Sequence, residues 1–159
     1  KHRLAKFMKL WKDSTKEMLL MNKLEGHVDS ATDEFTKEFV KNGGVIKSIY
    51  EANYDFKIKV EGSWQTITPD KMTDFVNEMQ GDGGEVKLTD KIYQNMEIFD
   101  RKVVFISLVD PTISRYNRSD IIVKNQNFAE SMAEFFEQSW SKAYSAEEFK
   151  NKFINSSKG

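Results

Sequence analysis

The sequence contains no cysteine, and this absence removes several classes of function. Without thiols the chain can form no disulfide, no thiolate nucleophile and no thiolate metal site. A reducing, cytoplasmic environment is therefore expected. The two histidines, His2 and His27, are too few for a typical zinc site, and HEXXH spacing is missing. We expect no bound metal and no cofactor.

Other features in short supply exclude further classes. The longest apolar runs, MLLM and VVFISLV, are far shorter than the ~20 residues that a membrane span needs, so no membrane contact is expected. The 24 Lys and Arg residues nearly balance the 25 Asp and Glu residues, which leaves no basic surplus for binding nucleic acid. No GxSxG elbow supports a serine nucleophile, and the glycine pairs lack the P-loop and dinucleotide spacings.

The 159 residues fit a single domain in which strand and helix patterns alternate. Helical spacing of apolar residues and capping signals predict helices over 2–13, 31–40, 68–79, 128–144 and 145–154. The expected caps are Asp29 or Ser30, Thr68 followed by Pro69 and Asp70, Asn125 or Asn127, and Ser145 with Glu148 in a capping box. Short apolar runs predict strands over 16–23, 45–51, 85–89, 96–99, 102–109 and 121–125, with a hairpin over 56–68 that turns at residues 61–62. The first strand, helix and strand predict a parallel pair with a right-handed crossover. The expected fold is α/β, a mixed sheet flanked by helices on both faces.

The first helix carries two aromatic residues, Phe7 and Trp11, on its apolar side. Two interpretations are open. The helix packs on its own domain, or the two rings are exposed and are buried by a partner subunit in a dimer interface. Because the chain opens on Lys1 rather than Met, we also expect it to be either a processed protein or a piece of a longer one.

The stretch YQNMEIFDRKVVFIS, residues 93–107, carries the resemblance to a known family. Together with KEMLLMNK, DEFTKEFVKNGGVIKSIY and EVKLTD, it resembles one half of a phospholipase D-like (HKD) domain. The signature of that family is HxKxxxxD followed, after six residues, by a glycine-serine pair. The resemblance lays the histidine position on Tyr93, the lysine position on Asn95, the aspartate position on Asp100 and the first small residue on Ser107.

The departures from the signature imply that the chain is not an enzyme. In the active relatives the histidine is the nucleophile and the lysine holds the phosphate charge. Tyr93 is uncharged at neutral pH, and Asn95 supplies no cation. Losing both groups is expected to cost many powers of ten in rate. Asp100 is then either part of a remaining ligand surface or simply a turn residue.

The C-terminal segment DIIVKNQNFAESMAEFFEQSWSKA narrows the resemblance. It is similar to the segment that closes the phospholipase D-like effector domains of TrmB-type transcriptional regulators. Phe136 and Trp140 lie one helical turn apart, so both are expected to face the sheet. The resemblance implies residues 1–14 as a connecting and dimerisation helix and residues 15–155 as the effector domain. DNA would be bound only through a winged-helix domain that this chain lacks.

The implied function is ligand sensing by a homodimer, in which a small effector such as a sugar or an anionic metabolite biases the connecting helices. Expected ligand contacts at the degenerate motif are Tyr93, Asn95, Asp100 and Ser107. The loop that follows adds Asp110, Arg115, Tyr116 and Arg118. The two arginines suit a phosphate or carboxylate group, although they also fit a description as solvated loop residues.

Two other functions compete with this one. A phosphodiesterase or nuclease acting as a homodimer with residual activity would retain the chemistry of the fold. A ligand-free dimerisation module would retain only its surfaces. Hydrolysis assays and ligand screening by thermal shift distinguish the three.

Overall fold

The computed structural model describes residues 2–23, 31–52, 56–60, 63–68, 71–108, 110, 112–113 and 117–155. The helices in this part of the chain are α1 His2–Asp13, α2 Ala31–Lys41, α3 Met72–Gly81, α4 Gln126–Lys142 and α5 Ala146–Phe149, which continues into a π-helical segment, Lys150–Asn155. The strands are β1 Glu17–Lys23, β2 Val45–Glu51, β3 Phe56–Val60, β4 Ser63–Ile67, β5 Glu85–Thr89, β6 Asn95–Phe99, β7 Val103–Ser107 and β8 Asp120–Lys124.

Six strands form one mixed sheet in the order β5-β2-β1-β6-β7-β8, and β3 pairs with β4 in a separate hairpin. Strands β1, β2 and β5 are parallel, whereas β6, β7 and β8 are joined by antiparallel pairs. The α/β class and the parallel pairing of β1 with β2 are therefore confirmed. The carboxyl ends of β1, β2 and β5 share one edge of the sheet with the start of β6 and the end of β7.

Helix α4 covers one face of the sheet because its apolar stripe matches alternate residues of the strands. Ala129, Ala133 and Phe136 are fully buried there against residues such as Leu19 and Ile98. Trp140 stacks on Phe136 at 5.9 Å between ring centroids. Asn125 accepts a hydrogen bond from the Phe128 N–H, so of the two caps that the sequence offers, Asn125 and Asn127, it is Asn125 that caps the helix. The expectation that Phe136 and Trp140 face the sheet is confirmed.

The other face of the sheet is covered by α1 and α2 at one end and by α3 and α5 beside β5. Met18, Leu20 and Phe99 pack with Trp11 and Phe39. A neighbouring cluster joins α3 and α5 to the sheet through Tyr50, Phe75, Val76, Val86, Leu88 and Phe149. Helices therefore lie on both faces, as the sequence patterns predicted.

Helix α1 packs on its own domain, which corrects the expectation that its two aromatic rings are exposed. Trp11 is only 8% exposed. Its ring lies 5.9 Å from that of Phe35, and the Phe7 ring lies 6.0 Å from Phe99 and 5.5 Å from Phe105. Trp11 is buried and Phe7 partly buried because Phe35 of α2 and the sheet residues Phe99 and Phe105 form an aromatic surface against which both rings pack. A dimer of this chain stays a prediction, but Trp11 is already used within the fold.

The predicted boundaries differ from the observed ones mainly at turns. Helix α3 begins at Met72 rather than at Thr68, and its predicted Pro69 and Asp70 lie outside the described residues, as does the Asp29 or Ser30 cap of α2. The hairpin strands β3 and β4 are present, while the turn predicted at residues 61–62 is also outside them. Ser145 and Glu148 form the predicted capping box of α5. None of the helices in the described ranges combines the length and apolar character that a membrane crossing demands.

Candidate ligand site

A row of polar side chains crosses three strands at the edge where β1, β2 and β5 end. Asn95 at the start of β6 pairs with Ser107 at the end of β7, and Ser107 pairs with Asp120 at the start of β8. Directly paired residues of antiparallel strands point to the same face of the sheet. Open α/β sheets bind their ligands outside the carboxyl ends of the parallel strands, so this edge is the first place to look for a site.

The side chains in this row are held by defined hydrogen bonds. The Asn95 Oδ1 accepts from the Lys23 backbone N–H at 2.8 Å, and the Ser107 Oγ donates to the Asp120 Oδ1 at 3.1 Å. The Gln94 side-chain amide donates to the Ser107 carbonyl oxygen. All are partly buried, so their remaining donors and acceptors are positioned before any ligand arrives.

The same face continues into neighbouring strands with further polar residues. The Asn22 Nδ2 donates to the Glu97 Oε1 at 3.0 Å, and Asn22 pairs with Tyr50 across β1 and β2. Burial raises the pKa of Tyr50 to about 12, the Glu97 charge adds to the rise, and a hydrogen bond with Ser48 opposes it. We call the resulting group the polar cluster: Asn22, Ser48, Tyr50, Asn95, Glu97, Ser107 and Asp120.

The polar cluster lies on the face whose other end is apolar. Leu20, Phe99 and Phe105 occupy that end beneath α1 and α2. On this face, the residues of each strand are apolar at one end of the strand and polar at the other. The face therefore has a core half and a polar half. The sequence analysis missed Asn22, Ser48, Tyr50, Glu97 and Asp120 as site residues. The available signal was an isolated polar residue within an apolar strand, as in EMLLMNK and NMEIF.

The charges of the polar cluster differ from those of a phosphate site. Two of its seven residues, Glu97 and Asp120, carry carboxylates, and none of the seven is a Lys or an Arg. Lys23 contributes only its backbone N–H, because its side chain lies on the opposite face, where its Nζ is 3.9 Å from the Glu51 Oε2. Glu51 also accepts from the Ile92 backbone N–H at 2.5 Å. Carboxylate, amide and hydroxyl groups together are suited to binding hydroxyl groups.

Tyr93 lies at this edge but outside the polar cluster. Its side chain is 81% exposed, and the Lys91 Nζ lies 4.6 Å from the ring centroid. Tyr93 is therefore an exposed residue beside the polar cluster, and a cation–π contact with Lys91 stabilises the position of its ring. The structure brings together Asn95 and Ser107, with Tyr93 nearby along the chain.

Asp100 corrects the expectation of a single site around the motif. It follows the opposite end of β6, roughly 16 Å from Asn95 at ~3.3 Å per residue. Its carboxylate accepts backbone N–H bonds from Thr15, Lys16 and Glu17 at 2.9, 2.8 and 2.9 Å. Burial alone would raise the pKa of Asp100, but these donors outweigh burial and lower it. Asp100 therefore joins the α1–β1 connection to the β6–β7 turn and contacts no cluster residue.

The turn that holds Asp100 has an unusual backbone. Asp100 and Arg101 have φ of 51° and 53°, and the Lys102 N–H donates to the Phe99 carbonyl at 3.0 Å. Two consecutive positive φ values define the turn type that matches the twist of a two-residue hairpin. The alternative that Asp100 is a turn residue is therefore the one that the structure supports.

The loop between β7 and β8 begins at the same edge as the polar cluster. The Asp110 carboxylate accepts from the Thr112 N–H at 2.8 Å and Oγ1 at 2.7 Å, and these bonds lower the pKa of Asp110. The Arg118 Nε donates to the carbonyl oxygens of Asp110 and Ile113 at 3.0 and 3.2 Å. Both residues shape the loop. Arg115 and Tyr116 lie outside the described residues, so their ligand contacts stay a prediction.

Comparison with known proteins yields structural relatives only. No protein-family model and no curated protein matches the sequence. The structure of TrmBL2, an archaeal chromatin protein with a novel mode of DNA binding, matches with a TM-score of 0.63 and 20% identity, over 89% of this chain and 49% of that one. Nuc from Salmonella typhimurium, a phospholipase D family member, matches with a TM-score of 0.61 and 11% identity, over 88% of both chains. NucT from Helicobacter pylori gives 0.58 and 11%, over 89% of both.

The chain has a phospholipase D-like fold. The resemblance to phospholipase D-like and TrmB-type proteins that the sequence predicted is thus confirmed at the level of the fold. The chain spans about half the length of the TrmBL2 structure that it matches. Tyr93 and Asn95, on which the sequence resemblance lays the histidine and lysine positions, lie just before and at the start of β6.

Proposed function

We propose that this chain is the ligand-sensing and dimerisation domain of a cytoplasmic transcription regulator, and that it is not an enzyme. The main observation behind the proposal is the polar cluster. It lies at the carboxyl edge of the parallel strands, yet it offers amide, hydroxyl and carboxylate groups where a phosphodiesterase would need a nucleophile and a cation. Binding without cleavage is the function that these groups support.

The ligand class follows from the charges in the polar cluster. The two candidate classes of effector are sugars and anionic metabolites, and Glu97 and Asp120 would repel an anion in a partly buried setting. Amide and carboxylate oxygens accept hydrogen bonds from hydroxyl groups, and the Asn22 and Asn95 amides can donate to them. We therefore favour a neutral ligand rich in hydroxyl groups, such as a sugar.

A route from the polar cluster to the connecting helix runs along β6. This strand carries Asn95 and Glu97 at one end and Phe99 at the other, where Phe99 meets Phe7 of α1. Asp100 then anchors Thr15 and Lys16, directly after α1. A ligand that binds one placement of α1 more tightly would shift the population toward it. DNA contacts would be made by a winged-helix domain outside this chain.

Thermal-shift measurements with matched sugars and sugar phosphates test the sensor function. A neutral sugar at 100 times its Kd stabilises the native state by about 2.7 kcal/mol, which raises Tm by roughly 5 °C or more. The matching sugar phosphate should give a smaller shift.

Glu97→Gln should weaken sugar binding about tenfold or more, because a charged acceptor is lost. Glu78→Gln, an exposed change on α3, is the control and should leave the shift unchanged. A library of neutral sugars that produces no shift would favour the ligand-free module.

A hydrolysis assay tests the competing enzyme function, which the shared fold with Nuc supports. Purified protein incubated with a nitrophenyl phosphodiester should release no nitrophenol above the buffer rate. Turnover that disappears in Asn95→Ala and persists in Glu78→Gln would establish the phosphodiesterase alternative and contradict our proposal.

A further inference from the structure

The outermost strands of the six-stranded sheet are β5 and β8, and they differ in whether a described segment covers their outer side. At the β5 edge, Leu88 and Tyr144 exchange two backbone hydrogen bonds of 2.7 and 2.9 Å, so the segment after α4 covers that edge. At the other edge, β8 is the last strand in the order, and no described strand pairs with its outer side. An open edge presents backbone donors and acceptors that another strand can use.

The direction of the backbone groups on β8 follows from its pairing with β7. The Leu108 N–H donates to the Ser119 carbonyl at 3.0 Å, which makes this a hydrogen-bonded pair. Hydrogen-bonded pairs alternate along an antiparallel ladder, so Ile121 and Val123 also point their N–H and C=O groups toward β7. The backbone groups of the alternate residues, Asp120, Ile122 and Lys124, point outward.

The sequence of β8, DIIVK, is complementary to itself when two copies run antiparallel about Ile122. Asp120 of each copy then lies opposite Lys124 of the other, and Ile121 lies opposite Val123. The pairs that must exchange hydrogen bonds are those at Asp120, Ile122 and Lys124, whose backbone groups point outward. The opposite charges, the positions of the outward backbone groups and the pairing of β-branched residues are therefore all compatible with this arrangement. We propose that two copies of this chain associate through β8, antiparallel about Ile122, to form one continuous sheet.

An exposed apolar residue lies on this edge strand. Ile121 is 44% exposed on the face that α4 covers. The two-fold axis of such a pair is perpendicular to the sheet, so both copies of α4 lie on the same side of it.

The pairing would also change the charge of the polar cluster. Asp120 belongs to the cluster, and the arrangement places Lys124 of the second copy opposite it. This ion pair would neutralise Asp120 and leave the Glu97 carboxylate as the net charge of each site, so ligand binding would become sensitive to association while anions would still be disfavoured. This inference rests on the proposed function only in assuming a homodimer, since ligand binding is measured separately.

Charge exchange tests the interface. Lys124→Asp replaces two opposite-charge pairs with two like-charge pairs, and the dissociation constant from sedimentation equilibrium should rise about tenfold or more. Asp120→Lys combined with Lys124→Asp restores opposite charges and should recover the dimer. Lys102→Asp, an exposed change in the β6–β7 turn, is the control and should associate as the unmodified chain does. A monomeric unmodified chain, or a dimer that survives Lys124→Asp, overturns the inference, whatever the thermal shift with sugars.

A cysteine introduced at the axis provides a second measurement. Because the chain has no cysteine, Ile122→Cys places the two thiols of a dimer beside each other and leaves no competing thiol. Mild oxidation should give a covalent dimer on a non-reducing gel, while Lys102→Cys should not. A dimer in solution that fails to cross-link through position 122 would also overturn the inference.

Discussion

At the scale of single residues, Asp100 shows that one motif can be divided between two roles. Asn95 and Asp100 stand five positions apart in the sequence, at opposite ends of the same strand. Asn95 lies in the polar cluster, whereas Asp100 receives three backbone N–H groups from the segment after α1. Changes at Asn95 therefore need not disturb Asp100, because the contribution of Asp100 is to join two segments of the chain.

The role of Asp100 predicts a specific loss of stability. Asp100→Asn keeps an acceptor and tolerates the positive φ, but it removes the charge that strengthens the N–H bonds. The free energy of unfolding by urea at pH 7 should fall by about 1–3 kcal/mol. Asp13→Asn, at an exposed pair with Lys9 on α1, should cost less than about 0.5 kcal/mol.

The pH dependence of this effect has a defined sign. The folded-state pKa of Asp100 is lowered, so its stabilisation is present above the unfolded pKa of about 4 and is lost as pH falls through the folded value. The difference between the unmodified chain and Asp100→Asn should therefore narrow from pH 7 toward pH 3. A difference that stays constant over this range would contradict a charge-based role.

At the scale of elements, α1 is the helix for which the sequence left two packing arrangements open. Its amphipathic pattern is equally compatible with packing on its own sheet and with packing on a partner. The decision comes from the surface that it meets, since Phe35, Phe99 and Phe105 form an aromatic group against which Phe7 and Trp11 fit. An apolar stripe indicates that one side of a helix is buried, but it does not identify the surface that buries it.

Truncation of Trp11 should therefore destabilise each chain by itself. Trp11→Ala is expected to lower the free energy of unfolding by about 3–5 kcal/mol, the usual cost of removing a large buried aromatic side chain. The loss should not depend on protein concentration between the micromolar and the hundred-micromolar range. Lys12→Ala, on the exposed side of the same helix, should change stability by less than about 0.5 kcal/mol. A cost that grows with concentration would place Trp11 in an interface instead.

At the scale of the whole molecule, two apolar layers share one sheet. Trp11 lies in the layer beneath α1 and α2, and Trp140 packs against the layer beneath α4. Strand β1 contributes Met18 and Leu20 to the first layer and Leu19 and Met21 to the second. Neither layer can lose its strands without exposing the other, which predicts cooperative unfolding.

Single-tryptophan variants can measure this cooperativity. One variant retains Trp11 (Trp64→Phe with Trp140→Phe) and the other retains Trp140 (Trp11→Phe with Trp64→Phe). Within each variant, the urea midpoint from fluorescence should coincide with the midpoint from far-UV circular dichroism. A fluorescence transition of Trp11 that precedes the loss of sheet signal would show that α1 separates from the domain before it unfolds.

The sequence by itself determined the order of elements, because periodicity and caps are local properties. Residues 45–51 and 85–89 were predicted with the observed strand limits, Ser145 was predicted as the observed cap of α5, and Asn125 was one of two candidate caps of α4. The absence of a histidine and a lysine at the motif was likewise readable from the sequence.

Only the tertiary structure decided which side chains share a site. Asn22, Glu97 and Asp120 come from three distant parts of the chain, and strand pairing alone brings them together. Asp100, close to Asn95 in sequence, is separated from it because an extended strand carries its ends apart.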